Sequence, residues 1–206
     1  MRSGKAILIG ALAVLAIAGV SQANLVSDPT FASGGVSSPW TGITRWYSGD
    51  TLTWMPNGKN NPPGESGVSD TRFAAQLMTT EGPIRQTLTA TYKSGYSYDF
   101  SFWAARDGTA ATRTMRLGYM SGGSFVEVEK AQSAALPYRS WVKTSDSAGP
   151  ISGGAVGKAI VVSLEYGSGD YGEPAWVDDV IVTEVPEPAT IGLVALGGLA
   201  LLRRRK

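Results

Sequence analysis

Two antiparallel sheets packed face to face, an all-β fold, is the class predicted for residues 24–184 of this 206-residue chain. Three features predict it: helical periodicity is absent there, period-two alternation of apolar and polar residues recurs, and turn residues separate the alternating runs. The length suits one domain with a core of its own.

The strands follow in order. Ala75 to Met78 and Ile84 to Thr91 come first. Tyr96, Tyr98, Phe100 and Phe102 then share one face of a strand, with Ser97, Asp99 and Ser101 on the other, so this segment is expected to be half buried. Arg106-Asp107-Gly108 turns the chain. Met115, Leu117 and Tyr119 share a face of the next strand, and Ser121-Gly122-Gly123-Ser124 predicts a hairpin into Phe125 to Lys130. Trp141 to Thr144 is a further strand, Ile160, Val162, Leu164 and Tyr166 form another inward row, and Trp176 to Thr183 closes the set. Many short strands with glycine-rich turns at this length favour a two-sheet jelly roll.

The two ends read differently. Arg2 and Lys5, the apolar stretch Ala6 to Val20 and the small-x-small pattern Ser21-Gln22-Ala23 have the layout of a secretory signal helix. Residues 1–23 are therefore expected to be a signal peptide passing through the Sec export machinery, with signal peptidase cutting after Ala23. Residues 185–206 combine Val185-Pro186-Glu187-Pro188, an apolar run from Ala189 to Leu202, and the cations Arg203, Arg204, Arg205 and Lys206. As a helix that run reaches about 21 Å against a hydrocarbon core near 30 Å, which suits a transient membrane stop better than a permanent anchor. The terminal cations would stay on the cytoplasmic side. Pro186 and Pro188 hold their segment extended, open to a processing enzyme. A buried N-terminal helix and a plain C-terminal anchor are the alternatives for the two ends.

Composition narrows the chemistry. Of the 18 basic residues six lie in the terminal segments, and of the 17 acidic residues only Glu187 does, so the central domain carries 12 and 16, a net −4. That sign argues against nucleic acid, whose phosphates need a basic surface. The chain has no cysteine, hence no disulfide, and no histidine. Ser-His-Asp triads, thiol nucleophiles and imidazole-ligated zinc are thereby excluded, leaving carboxylate chemistry as the common enzymatic route. Glu127 and Glu129, two apart on one strand, are expected to share a face at a glycosidase-like separation. Such a pair is also the ordinary solvated face of a strand.

The tail resembles the PEP-CTERM sorting signal of Gram-negative bacteria, on Pro186-Glu187-Pro188, the glycine-containing apolar run and the terminal Arg203 to Lys206. The resemblance implies recognition at the proline motif by exosortase, a membrane transpeptidase that removes the tail, in exported proteins of bacteria that make exopolysaccharide. The central domain resembles galactose-binding-like jelly rolls, which include many carbohydrate-binding modules. The residues that carry this are Asn24-Leu25-Val26 with Asp28-Pro29 and Phe31, Ile84-Arg85-Gln86-Thr87-Leu88, and Trp176-Val177-Asp178-Asp179-Val180.

Two candidate sites follow. Trp40, Trp46, Tyr47 and Trp54 crowd a loop-like segment with Arg45, Asp50 and Asn57. Arg45, Trp46, Tyr47, Asp50 and Trp54 could form a glycan platform, since sugar CH faces pack on aromatic rings and flanking polar groups bond the hydroxyls. Trp46 and Trp54 equally fit a core, and Trp103, Trp141 and Trp176 read mainly as packing. Asp28, Asp178 and Asp179 are candidate ligands of a structural calcium ion, because in jelly rolls of this kind the first and last strands lie close together and calcium favours hard oxygen ligands. They equally fit a turn and a strand surface. The expectation is an exported, non-catalytic protein of the cell envelope, outer surface or extracellular matrix that associates with polysaccharide. A structural surface component acting through protein contacts is the alternative, and a carboxylate glycosidase the third reading.

Overall fold

The computed structural model describes residues 23–29, 39–42, 46–47, 74–77, 82–106, 112–138, 140–166 and 175–187, with backbone alone at 46–47, 74–77 and 175. Its strands are β1 (Trp46–Tyr47), β2 (Ala74–Leu77), β3 (Ile84–Thr91), β4 (Tyr96–Arg106), β5 (Arg113–Ser121), β6 (Ser124–Gln132), β7 (Val142–Ala148), β8 (Ala159–Tyr166) and β9 (Ala175–Pro186). They form a five-stranded sheet, β1-β2-β9-β4-β7, and a four-stranded sheet, β3-β8-β5-β6. Neighbouring strands in both run antiparallel. The architecture is the two-sheet β-sandwich that the alternation predicts. Among the described residues no helix is long and apolar enough to cross a membrane. The signal helix and the apolar run after Pro188 lie outside the described residues.

The inward rows meet between the sheets. Tyr98, Phe100, Phe102 and Ala104 of β4 share a buried cluster with Met115 and Leu117 of β5, Ile160, Val162 and Leu164 of β8, and Val177, Val180 and Val182 of β9. Each such side chain contributes about 1.5–3 kcal/mol on leaving water. Without disulfides, that core is the main source of stability. The predicted hairpin joins β5 to β6: Ser121 is opposite Ser124, and Gly122 and Gly123 take φ of 56° and 82°. Positive φ at both central residues matches the strand twist.

Among the described residues the register shifts at three places, between Thr87 and Thr91 of β3 against β8 and at two bulges. Ser101 is opposite Ile181 and Trp103 opposite Asp178, so Phe102 faces both Asp179 and Val180. The extra residue re-phases β9, so that Val177 and Val180, three apart, both reach the core. In the other sheet Leu117 is opposite Glu129 and Gly118 opposite Glu127. Directly opposed residues share a face, so Glu127 and Glu129 do not. That corrects the expectation of a same-face pair: Val128 is the additional residue the register accommodates.

The segment from Asn24 to Pro29 closes one side of the sandwich. Leu25 N–H donates to Val182 O at 2.8 Å and Val180 N–H to Pro29 O at 2.9 Å. From the other sheet, the buried Gln86 amide accepts from Ser27 N–H at 2.9 Å and donates to Ser27 O at 2.6 Å. First and last segments are thus joined, as the expected closeness of the two ends requires.

Candidate functional site

The outer face of the five-stranded sheet holds the candidate site. In β4 the residues between the core positions turn outward, and the last of these, Trp103, is opposite Asp178 of β9 and Lys143 of β7. Among the described residues the partly exposed Trp103 indole N–H has no hydrogen-bond acceptor. Two residues along, Ala105 is opposite Trp176, which is itself opposite Gln76 of β2. Trp176 and Ala105 are buried at 3% and 0% exposure yet stand outside the core cluster, which places them under cover on the outer side of the sheet. Trp141 immediately precedes β7. Since Val142 packs against the core, alternation directs Trp141 to the outer side, where its buried indole nitrogen has no acceptor among the described residues.

A shallow groove of about 530 Å³ follows the sheet surface, and Lys143, the residue opposite Trp103, lines it. Asp99, Ser101, Lys143, Ser145, Ser147 and Thr183 are among its lining residues. A partly exposed aromatic near hydroxyl, carboxylate and ammonium groups can pack on sugar CH faces while those groups bond sugar hydroxyls. Trp103, Trp141 and Trp176 were expected mainly as packing. The signal for Trp103 lay in its phase, because it continues the Ser97, Asp99, Ser101 row rather than the aromatic one.

The predicted glycan platform lies largely outside the described residues. Arg45, Asp50 and Trp54 lie outside the described residues, while Trp46 and Tyr47 form the short strand β1, opposite Ala75 and Ala74, where a loop was expected. Trp40 is buried in the core and donates its indole N–H to Asp28 O at 3.0 Å.

Asp28 precedes Pro29, whose O accepts from Val180 N–H of β9, and Asp178 and Asp179 lie just before Val180 in that strand. Asp28 and Asp179 both have positive φ, 52° and 47°. Asp178 and Asp179 are both buried, and Asp178 Oδ1 accepts from Asp179 N–H at 2.8 Å. The bulge thus turns one oxygen of Asp178 back onto its own backbone. Among the described residues no group of three or more His, Cys, Asp or Glu side chains comes together as a metal cluster.

On the outside of the four-stranded sheet Arg116 bonds Glu165 at 2.7 Å through Nε and pairs with Glu127 through Nη1. Arg85 donates to Ser163 and lies 5.1 Å from the Phe125 ring centroid. On this face Glu127 already has its cation in Arg116.

Ala23 is exposed at the start of the described chain. At the other end β9 continues to Pro186, beyond the predicted end at Thr183. Val185 and Pro186 are opposite Ser97 and Tyr96, paired where an open tail was expected. Glu187 follows the strand; Pro188, Arg203, Arg204 and Arg205 lie outside the described residues. A family model described as the PEP-CTERM protein-sorting motif matches residues 184–206. The tail is a PEP-CTERM sorting motif. It indicates an exported protein sorted to the cell envelope and implies processing by exosortase, a membrane enzyme.

Among curated proteins none matches the chain. Solved structures do. The enzymatically active domain of bacteriophage CBA120 tailspike protein 4 is 14% identical with a TM-score of 0.51, the alignment covering 79% of this chain and 21% of that one. A cyclase from Fischerella sp. TAU, in complex with 4-(1H-indol-3-yl)butan-2-one, is 13% identical with a TM-score of 0.50, covering 80% and 98%. The CBM22-1 xylan-binding domain of Paenibacillus barcinonensis Xyn10C is 15% identical with a TM-score of 0.49, covering 81% and 97%. At such identities a likeness concerns the fold alone.

Proposed function

We propose that this PEP-CTERM protein is an exported, non-catalytic envelope component that binds polysaccharide across the outer face of its five-stranded sheet. The observation that carries the reading is Trp103, partly exposed, its indole N–H unbonded among the described residues, opposite Lys143, which with Ser, Thr and Asp side chains lines a groove on the same sheet. A ring in that position packs on the CH face of one sugar while the groove offers donors and acceptors to its neighbours. The non-catalytic reading is supported by the missing histidine and cysteine, and by the separation of Glu127 from Glu129. The sorting motif supports delivery to the cell envelope, and the resemblance implies a host that makes exopolysaccharide.

Affinity electrophoresis through gels carrying different polysaccharides tests this. Retardation is expected with at least one exopolysaccharide, and Trp103→Ala should abolish it while the domain remains cooperatively folded. Retardation that survives Trp103→Ala would assign binding elsewhere. Mobility unchanged in every gel, with copies associating instead, would favour a structural role through protein contacts.

A further inference from the structure

The sorting motif and the folded domain overlap. The match begins at Glu184, yet β9 runs to Pro186, with Glu184 opposite Tyr98, Val185 opposite Ser97 and Pro186 opposite Tyr96. Lys93, in the turn before β4, fastens this end: its Nζ lies 2.6 Å from Glu184 Oε1 and 5.3 Å from the Tyr96 ring centroid. The bond to Glu184 raises the Lys93 pKa. The opposite edge of β9 is covered at Val180 and Val182 by the N-terminal segment, and among the described residues no backbone bond from that segment reaches past Val182. Pro186 has no N–H to give to any ladder. The last residues of β9 are therefore held from one side only.

We propose that processing of the tail is gated by the fold: Glu184 to Pro186 must peel from β4 before the processing enzyme can take up the motif, and Lys93 is the latch. This rests on the sorting reading and is independent of the polysaccharide reading. An enzyme that reads an extended proline segment needs the backbone and side chains around Pro186 within its own cleft, and a strand annealed to β4 cannot enter one. Strand ends held on one side open at low cost, so the gate is passable without unfolding the core. Latch strength then sets how much precursor is competent at any moment.

The chain has no cysteine, so Ser97→Cys with Val185→Cys introduces a single disulfide across a directly opposed pair. The full chain is expressed in a host that trims PEP-CTERM tails, and tail loss is followed by mass. Oxidised precursor should be trimmed at least about tenfold more slowly than wild type and regain the wild-type rate on reduction. Equal rates in the two redox states would overturn the gate, as would trimming completed before the disulfide forms. If the reduced double variant is also refractory, Lys93→Ala decides, because it lies outside the motif. Trimming faster by about two- to fivefold supports the latch, and an unchanged rate sinks it. Absence of trimming in wild type would remove the sorting reading itself, and the gate with it.

Discussion

Asn24, the first residue after the expected signal cleavage point, grips Val182 in the last strand. Its Oδ1 accepts from Val182 N–H at 3.0 Å and its Nδ2 donates to Val180 O at 3.0 Å, while the same Oδ1 also takes the Val26 N–H at 3.1 Å. One side-chain amide thus substitutes for a missing strand partner beside β9. Asn24→Ala removes these bonds and should destabilise the domain by about 1–3 kcal/mol, read as a lower midpoint in denaturant titration with the slope unchanged.

Phe102 and Trp103 are adjacent in β4 and lie on opposite sides of the sheet. Phe102→Ala hollows the core and should cost about 3–5 kcal/mol. Trp103→Ala should cost less than half as much, since the ring is partly exposed outside the core cluster. Comparable losses in paired unfolding curves would mean that the outer face is structural.

Gly118 lies at the bulge between β5 and β6, where a Cβ would collide with Val126 O and the Phe125 ring. Backbone cannot move aside as a flexible side chain does. Gly118→Ala is expected to destabilise by about 1–3 kcal/mol, with Phe125 displaced, which thermal unfolding and a spectrum of the Phe125 ring protons would register.

Tyr92 and Tyr98 meet edge-on with ring centroids 5.2 Å apart. Burial, followed by the neighbouring Tyr98 hydroxyl, holds the Tyr92 pKa far above the ordinary 10, and burial likewise raises that of Tyr98. A phenol whose folded pKa is raised contributes stability that is complete below its unfolded pKa and is lost as pH climbs through the folded one. Unfolding free energy should therefore decline above about pH 10. Arg113, pushed down to about 10 by burial, acts in the opposite sense over its own range. Tyr92→Phe isolates the phenol: its stability profile should be flatter above pH 10 than that of wild type, and an equal slope in the two proteins would refute the assignment.

Much of the fold was legible from local pattern. Tyr98, Phe100 and Phe102 reach the core as their alternation predicts, and Gly122-Gly123 makes the hairpin turn. The β9 bulge was also written in the chain, as the three-residue step from Val177 to Val180 within otherwise two-residue spacing. It went unread because a single break in period two is indistinguishable locally from a surface valine. The β5–β6 bulge has no such mark: it exists only in the register of two strands, and it parts Glu127 from Glu129.

What the chain dictates by itself is whatever depends on near neighbours: period-two rows that make strands, glycines that take positive φ, an excluded set of catalytic residue types, and a C-terminal sorting motif readable as a linear string. Tertiary structure decided which outward residues meet. Trp103 gains Lys143 and Asp178 from positions 40 and 75 residues away, and Pro186 is drawn from the sorting string into a ladder with Tyr96. The physical reason is that alternation assigns each side chain to a face but says nothing about its cross-strand partner. Partners are chosen when whole strands anneal and the core selects one register among many.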